Sequence, residues 1–157
     1  MLKLLLLRHA KTEKNSATGL DFDRPLAPKG LSQAKSMATH LTHIDLTKTV
    51  VFCSDAKRTV QTFDFLRQQN DLASYLFDHN LYLADRETLL NQLWKQQGDL
   101  TVLLIGHNDG LSDLASFLTD TYLHLSTCTL LTLDVHLDEW QHLSRGTCTI
   151  SEEFRPE

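Results

Sequence analysis

Residues 1–12 read MLKLLLLRHAKT, and this stretch decides the fold of the chain. A run of four leucines bounded by charged residues predicts a strand that is buried on both faces, as in the middle of a parallel sheet. Arg8 and His9 then lie at the carboxyl end of that strand. Ligands of open α/β sheets bind outside the carboxyl ends of the strands, so a guanidinium next to an imidazole is placed there for chemistry on an anion. Taken alone, the pair is equally compatible with basic residues that merely end a strand.

The composition predicts a single globular domain over residues 1–157. The chain has 41% hydrophobic and 22% charged residues, both close to globular averages. Its formal net charge of -5 argues against a nucleic-acid-binding protein, which normally carries a basic surface, so any phosphate chemistry must be local. Cys53, Cys128 and Cys148 are far apart and include no CxxC pair, which favours neither a disulfide framework nor a zinc site.

The leucine run is too short to target or anchor the chain. A secretion signal needs about 7 to 15 apolar residues, and Arg8 ends this run too early. No other stretch approaches the roughly 18 apolar residues of a membrane span. We therefore expect a cytoplasmic protein with no membrane partner.

Strands and helices alternate along the rest of the chain. Hydrophobic periodicity and turn residues predict helices at about 29–43, from 56 onward, at about 85–97 and from 110 onward, and strands at 49–53, 75–77, 101–105, 127–135 and 140–143. The last two strands would form an antiparallel hairpin at a sheet edge. Ser54 or Asp55 is the predicted cap of the second helix, and Asn108 or Asp109 that of the fourth. This order predicts a three-layer α/β/α sandwich with a mainly parallel central sheet.

Three predicted strands end in residues suited to phosphate. Arg8 and His9 follow the first strand, Arg58 lies in the first turn of the helix after the second, and His107 directly follows the strand at 101–105. If these strands are neighbours, the four side chains meet in one crevice. Two arginines match phosphoryl oxygens, and nearby helix starts add backbone N–H donors. The pattern predicts a site for a tetrahedral dianion.

His9 is the expected nucleophile, because a neutral imidazole nitrogen can attack phosphorus and form a covalent phosphoryl enzyme. Arg8, Arg58 and His107 would stabilise the charge on the transferring group. We expect neither a metal nor another cofactor, since cationic side chains supply this stabilisation and the sequence has no HExxH motif. Arg24 either binds the phosphate or braces the loop before Pro25.

Several segments carry a family resemblance. Arg8-His9-Ala10, residues 54–62 with Arg58, and Gly106-His107-Asn108 together resemble the histidine phosphatase (phosphoglycerate mutase-like) superfamily. Within it, the chain is most similar to the SixA-type phosphohistidine phosphatase branch, through residues 23–26, 81–84 and 154–156. The resemblance implies an α/β/α sandwich with His9 as the phosphorylated nucleophile, Arg8, Arg58 and His107 as the phosphate pocket, and no cofactor.

The chain departs from the wider superfamily at two places. Ala10 replaces the glycine of the Arg-His-Gly motif, which we interpret as a feature of the branch. The superfamily also has an acidic proton donor between the second and fourth strands, and none is in register near 81–84, although Asp78, Asp85 and Glu87 are close in sequence. A departing imidazole needs less help from a general acid than an alkoxide does, so this gap favours phosphohistidine as substrate.

The expected substrate is therefore a phosphorylated protein, such as a histidine-containing phosphotransfer domain. No long insertion is available to build a lid over a small substrate, which favours an open site that accepts a protein surface. Two alternatives remain open: a phosphomonoesterase for a small phosphate ester, and a module that recognises phosphate without turnover.

Overall fold

Six strands form one sheet in the computed structural model, which describes residues 1–157. The strands are β1 (Leu2–Arg8), β2 (Thr49–Ser54), β3 (Ser74–Asp78), β4 (Thr101–Gly106), β5 (Leu130–Val135) and β6 (Cys148–Phe154), in the order β3-β2-β4-β1-β5-β6. Neighbours among β1 to β4 pair in parallel, whereas β5 pairs antiparallel with both β1 and β6. The predicted α/β class with a mainly parallel sheet is confirmed.

Four helices cover the two faces of this sheet. They are α1 (Pro28–Leu41), α2 (Lys57–Gln69), α3 (Arg86–Trp94) and α4 (Gly110–Thr119). The leucines of β1 show why both faces need cover, because successive strand residues point to opposite sides. Leu4 and Leu6 belong to the apolar cluster that contains α3 and α4, and Leu5 and Leu7 to the cluster that contains α1 and α2. The three-layer sandwich follows from this alternation.

The neighbouring strands β2, β4 and β1 bring their carboxyl ends together. Arg8, the last residue of β1, pairs with Gly106, the last residue of β4, and Cys53 of β2 pairs with Ile105. The segments that follow these three strands therefore meet at one edge of the sheet. None of the helices combines the length and apolarity needed to cross a membrane.

The predicted hairpin with residues 140–143 is wrong. Residues Trp140–His142 form a 3-10 turn, and the strand that pairs with β5 is β6. Trp140 and Leu143 are both buried while the residues between them are exposed, a spacing that suits a turn. Most residues of β6 are exposed because it is an edge strand, so it lacks the apolar alternation that identifies a half-buried strand.

The predicted cap of α2 is also wrong. Ala56 occupies the N-cap position and contributes no side-chain hydrogen bond. Ser54 is still in β2 and its hydroxyl lies 2.8 Å from Nε2 of His107, while the carboxylate of Asp55 lies 3.0 Å from Nδ1 of His79. Both predicted caps have tertiary partners instead.

Two further helix boundaries refine the predictions. Asp85 is the N-cap of α3, where its carboxylate accepts from the backbone N–H of Thr88, and the helix ends at Trp94 because the polar residues beyond it have no apolar face to bury. Asp109 is the N-cap of α4 by position, but Asn108 supplies the side-chain acceptor, with Oδ1 2.7 Å from the hydroxyl of Ser112.

Candidate active site

The carboxyl edge of the sheet holds a cavity of about 300 Å³. Its lining includes all five candidate site residues, Arg8, His9, Arg24, Arg58 and His107. The other lining residues are Thr12, Asp21, Leu83, Asn108 and Thr127. The loops after β1, β2 and β4 thus form one site, as the neighbouring positions of these strands require.

His9 is held in a single tautomer with one free nitrogen. Its Nδ1 lies 2.8 Å from the carbonyl oxygen of Ala10, which can only accept, so Nδ1 carries the proton and Nε2 has the lone pair. His9 as a whole residue is only 6% exposed. Burial, assisted by the positive charges of Arg58 and Arg8, lowers the pKa of His9 to about 3. His9 is therefore neutral at physiological pH, with the lone pair of Nε2 available.

His107 lies beside His9, with the two ring centroids 5.4 Å apart. The hydroxyl of Ser54 is 2.8 Å from Nε2 of His107, and Nδ1 is buried with no hydrogen-bond partner in the protein. Burial is the main reason that the pKa of His107 falls to about 3, and the charge of Arg58 also contributes. A neutral ring that accepts from Ser54 at Nε2 keeps an N–H at Nδ1, which suits a donor to an anion.

Arg8 and Arg58 are fixed in different ways. Arg8 donates from Nη1 to the carbonyl oxygen of Leu125, and its Nε is buried with no partner in the protein. Arg58 is only 3% exposed and donates from Nη1 to the carbonyl oxygen of Asp21 and from Nη2 to the carboxylate of Asp21, at 2.8 and 3.0 Å. A buried guanidinium needs such a partner, since an unpaired buried charge is costly.

Asp21 is the site residue that the sequence reasoning missed. Its Oδ2 accepts from Arg58 and from the hydroxyl of Tyr82 at 2.5 Å, and its Oδ1 accepts from Nη1 of Arg24 at 2.9 Å. The bond from Tyr82, together with those from Arg24 and Arg58, holds the pKa of the carboxyl well below its usual range. Asp21 lies in a polar loop among several acidic residues, and only its place three residues before Arg24 could have singled it out.

The structure confirms that Arg24 braces the loop before Pro25, and phosphate binding by Arg24 stays a prediction. It lines the cavity, and it braces the loop by donating from Nε to the carbonyl oxygen of Glu13 and from Nη2 to the hydroxyl of Thr12, at 2.9 and 2.6 Å.

The acidic residues near 81–84 do not line the cavity. Asp78 and Asp85 accept backbone N–H groups at the start of a 3-10 turn and of α3, respectively. Tyr82 comes from this segment instead, with its ring centroid 5.5 Å from that of His107. Asp21 is therefore the only carboxylate among the lining residues. No group of three or more His, Cys, Asp or Glu side chains is arranged to hold a metal ion.

The two depressed histidine pKa values predict an acid-sensitive fold. Below pH 6.5 the unfolded chain binds protons at these positions while the folded chain does not until about pH 3, so stability is complete above pH 6.5 and is lost as the pH falls. We expect His9 alone to lower the free energy of unfolding by about 2 kcal/mol between pH 7 and pH 5. Urea unfolding at both pH values measures this loss. It should be smaller in His9→Gln by that amount, and an identical loss in both proteins would contradict the assignment.

The structure is thus an α/β protein in which a buried neutral imidazole and three guanidinium groups line one cavity at the carboxyl edge of a mainly parallel sheet. Residues 4–81 match the model of the histidine phosphatase superfamily (branch 1). Through these 78 of its 157 residues the chain is similar to the histidine phosphatase superfamily, and this similarity supports phosphatase activity. No curated protein matches the sequence.

Solved structures share the whole fold. SixA from Nakamurella multipartitia is 24% identical, with a TM-score of 0.83 over 98% of this chain and 95% of that one. SixA from Agrobacterium tumefaciens is 21% identical, with a TM-score of 0.81 over 99% of this chain and 98% of that one. The protein histidine phosphatase SixA complexed with tungstate is also 21% identical, with a TM-score of 0.81 over 98% and 96% of the two chains. These likenesses establish the fold.

Proposed function

We propose that this chain is a phosphatase that hydrolyses phosphohistidine through a covalent intermediate on His9. The observation that carries the proposal is the state of Asp21, the only carboxylate that lines the cavity. Arg58, Arg24 and Tyr82 all donate to it, so the free site holds it ionised. An ionised carboxylate has no proton to give to a leaving group, and the substrate must have a group that leaves without one.

Phosphohistidine has such a leaving group. Its imidazole carries a proton on the second ring nitrogen near neutral pH, so cleavage of the P–N bond releases a neutral imidazole. An alkyl phosphate would release an alkoxide, a far stronger base that needs a general acid. The chemistry of the cavity therefore favours a phosphoramidate over a sugar phosphate.

The first step follows from the geometry of His9. Nε2 attacks phosphorus and forms the new N–P bond, while the electron pair of the old P–N bond stays on the leaving imidazole. The bond from Nδ1 to the carbonyl oxygen of Ala10 orients the ring and stabilises the positive charge that His9 gains. Arg8, Arg58 and His107 donate to the phosphoryl oxygens and require no metal for this stabilisation. Tungstate, bound in one of the similar structures, is also a tetrahedral oxyanion.

The mouth of the cavity favours a protein as the carrier of the phosphoryl group. Leu83 lines the cavity and is 54% exposed, and Leu20, next to Asp21, is 61% exposed. Apolar side chains at a catalytic mouth gain from covering by a partner surface, and a small phosphate ester offers none. A histidine-containing phosphotransfer domain is the partner class that fits this mouth.

A substrate panel tests the proposed function. We expect the purified chain to release phosphate from a phosphorylated histidine-containing phosphotransfer domain and from phosphoramidate, and much more slowly from serine phosphate and sugar phosphates. Faster release from alkyl phosphates would overturn the choice of substrate in favour of a phosphomonoesterase. Tight binding of phosphate with no turnover of any substrate would overturn catalysis in favour of a recognition module.

Leu83→Asn should separate protein from small-molecule substrates. Leu83 has a φ of 50°, a left-handed conformation that asparagine tolerates, so the substitution removes the apolar side chain without straining the backbone. We expect the KM for the phosphorylated domain to rise about fivefold to tenfold, and kcat/KM for phosphoramidate to stay unchanged. Leu76→Asn is the matched control, because Leu76 is 52% exposed and lies on β3, outside the cavity. Equal KM values in both variants would argue against a protein contact at Leu83.

A further inference from the structure

We propose that Asp21 is the general base that accepts the proton of the water that cleaves the phosphorylated His9. The inference rests on the proposed function and assigns the second half of the reaction. Asp21 is the only carboxylate in the cavity lining, and its side chain is 43% exposed, whereas that of its partner Arg58 is 4% exposed. Water from solvent can therefore reach Asp21 directly.

The second step needs a proton acceptor and no proton donor. When water attacks phosphorus, its oxygen forms the new P–O bond and the P–Nε2 bond of His9 breaks, with the electron pair returning to Nε2. His9 leaves as a neutral imidazole because its Nδ1 keeps the proton that it donates to the carbonyl oxygen of Ala10. The proton of the water is the one that remains to be placed, and the carboxylate of Asp21 takes it.

The hydrogen bonds of Asp21 leave one oxygen with spare capacity. Oδ2 accepts from both Arg58 and Tyr82, while Oδ1 accepts only from Arg24, and a carboxylate oxygen has two lone-pair positions. Tyr82 and Arg58 thus fix the orientation of the carboxylate through one oxygen. Oδ1 is the atom that we assign to the attacking water.

The phosphoryl group itself makes Asp21 a stronger base. In the free site the hydrogen bond from Tyr82, together with those from Arg24 and Arg58, favours the charged carboxylate. A phosphoryl group on His9 draws on the same guanidinium groups and places negative charge next to Asp21, and both effects raise the proton affinity of the carboxylate. The base is therefore activated when the covalent intermediate forms, and the proton passes to the product phosphate or to solvent as the phosphate leaves.

Asp21→Asn tests this assignment through the two half-reactions. Asparagine keeps an oxygen that accepts from Arg58 but cannot take up a proton at pH 7. We expect the phosphorylation of His9 by a labelled phosphotransfer domain to remain within about threefold of wild type, and steady-state turnover to fall about 100-fold. Acid-labile label on His9 should accumulate in the variant, because the second step becomes limiting. Added formate should restore turnover to Asp21→Ala, because it can take the place of the missing carboxylate and accept from Arg58.

Asp23→Asn is the matched control, because Asp23 and Asp21 lie in one short 3-10 turn, Asp21–Asp23. Asp23 accepts from the hydroxyl of Thr18 at 2.6 Å and does not line the cavity, so this variant should resemble wild type. If Asp21 only positioned Arg58, Asp21→Asn would slow both half-reactions and His9 would carry no excess label, which would overturn the proposal. A wild-type chain that never acquires label on His9 would instead overturn the proposed function.

Discussion

His9→Ala is expected to abolish turnover of a phosphorylated protein, by at least about 10,000-fold, and to remove all acid-labile label from the chain. Nε2 of His9 is the only atom in the proposed mechanism that bonds to phosphorus in the enzyme. The arginines and His107 stabilise charge around that bond and cannot replace it. Rapid mixing with a labelled phosphotransfer domain, followed by an alkaline quench and peptide mapping, locates the label.

His43→Ala is the control for His9→Ala. His43 lies just beyond the end of α1 and is exposed, so its replacement removes an imidazole without touching the cavity. This variant should show wild-type labelling and turnover. A near-ultraviolet circular dichroism spectrum that matches wild type would show that His9→Ala is folded. Turnover by folded His9→Ala at more than about one-tenth of the wild-type rate would rule out the covalent route.

The central layer was predictable because local pattern and tertiary environment agree there. The leucine run of β1 predicts a strand buried on both faces, and the structure places Leu4 and Leu6 on one side and Leu5 and Leu7 on the other, all within the core. The sharp change to Arg8 and His9 also locates the edge of the sheet where ligands bind. A strand with two buried faces has few ways to be misread.

The edge of the sheet was not predictable in the same way. β6 has a burial pattern with one buried residue followed by five exposed ones, so its sequence does not separate it from a polar loop. Its strand conformation depends on the ladder with β5, which pairs residues 13 to 24 positions apart in sequence. Trp140, by contrast, is a residue type with high strand propensity, but it is buried in a turn. Tertiary packing overrides propensity at both places.

The candidate site was predictable in its basic side chains and not in its carboxylate. Arg8, Arg58 and His107 each lie at or just after the end of a recognisable strand, so topology alone brings them together. Asp21 has no such signal, because its partners Arg58 and Tyr82 lie 37 and 61 residues away in sequence. Ser54 also lacks a local signal for its role. Serine is a residue type that favours helix N-caps, but the hydroxyl of Ser54 lies against His107 instead. Side-chain pairs of this kind depend on long-range geometry that no local pattern encodes.

Arg58→Lys is expected to lower kcat/KM by about 1,000-fold while leaving the fold intact. Lysine keeps the positive charge but replaces a planar fork of donors by a single ammonium. Arg58 uses Nη1 and Nη2 to hold Asp21 and must also donate to the phosphoryl oxygens, and one ammonium cannot meet both demands in the same geometry. Quenched-flow labelling should show that both half-reactions are slowed, because charge on the phosphoryl oxygens must be stabilised in each.

Arg67→Lys is the control on the same helix. Arg67 also pairs with an aspartate, Asp64, but its side chain is 41% exposed and lies outside the cavity, so kcat/KM should stay within about twofold of wild type. The comparison with Asp21→Asn then separates the two partners of one ion pair. Loss of the cation should slow formation and breakdown of phosphorylated His9 together, whereas loss of the anion should slow breakdown alone. Accumulation of label in Arg58→Lys would show that the arginine acts mainly through Asp21 and not on the phosphoryl group.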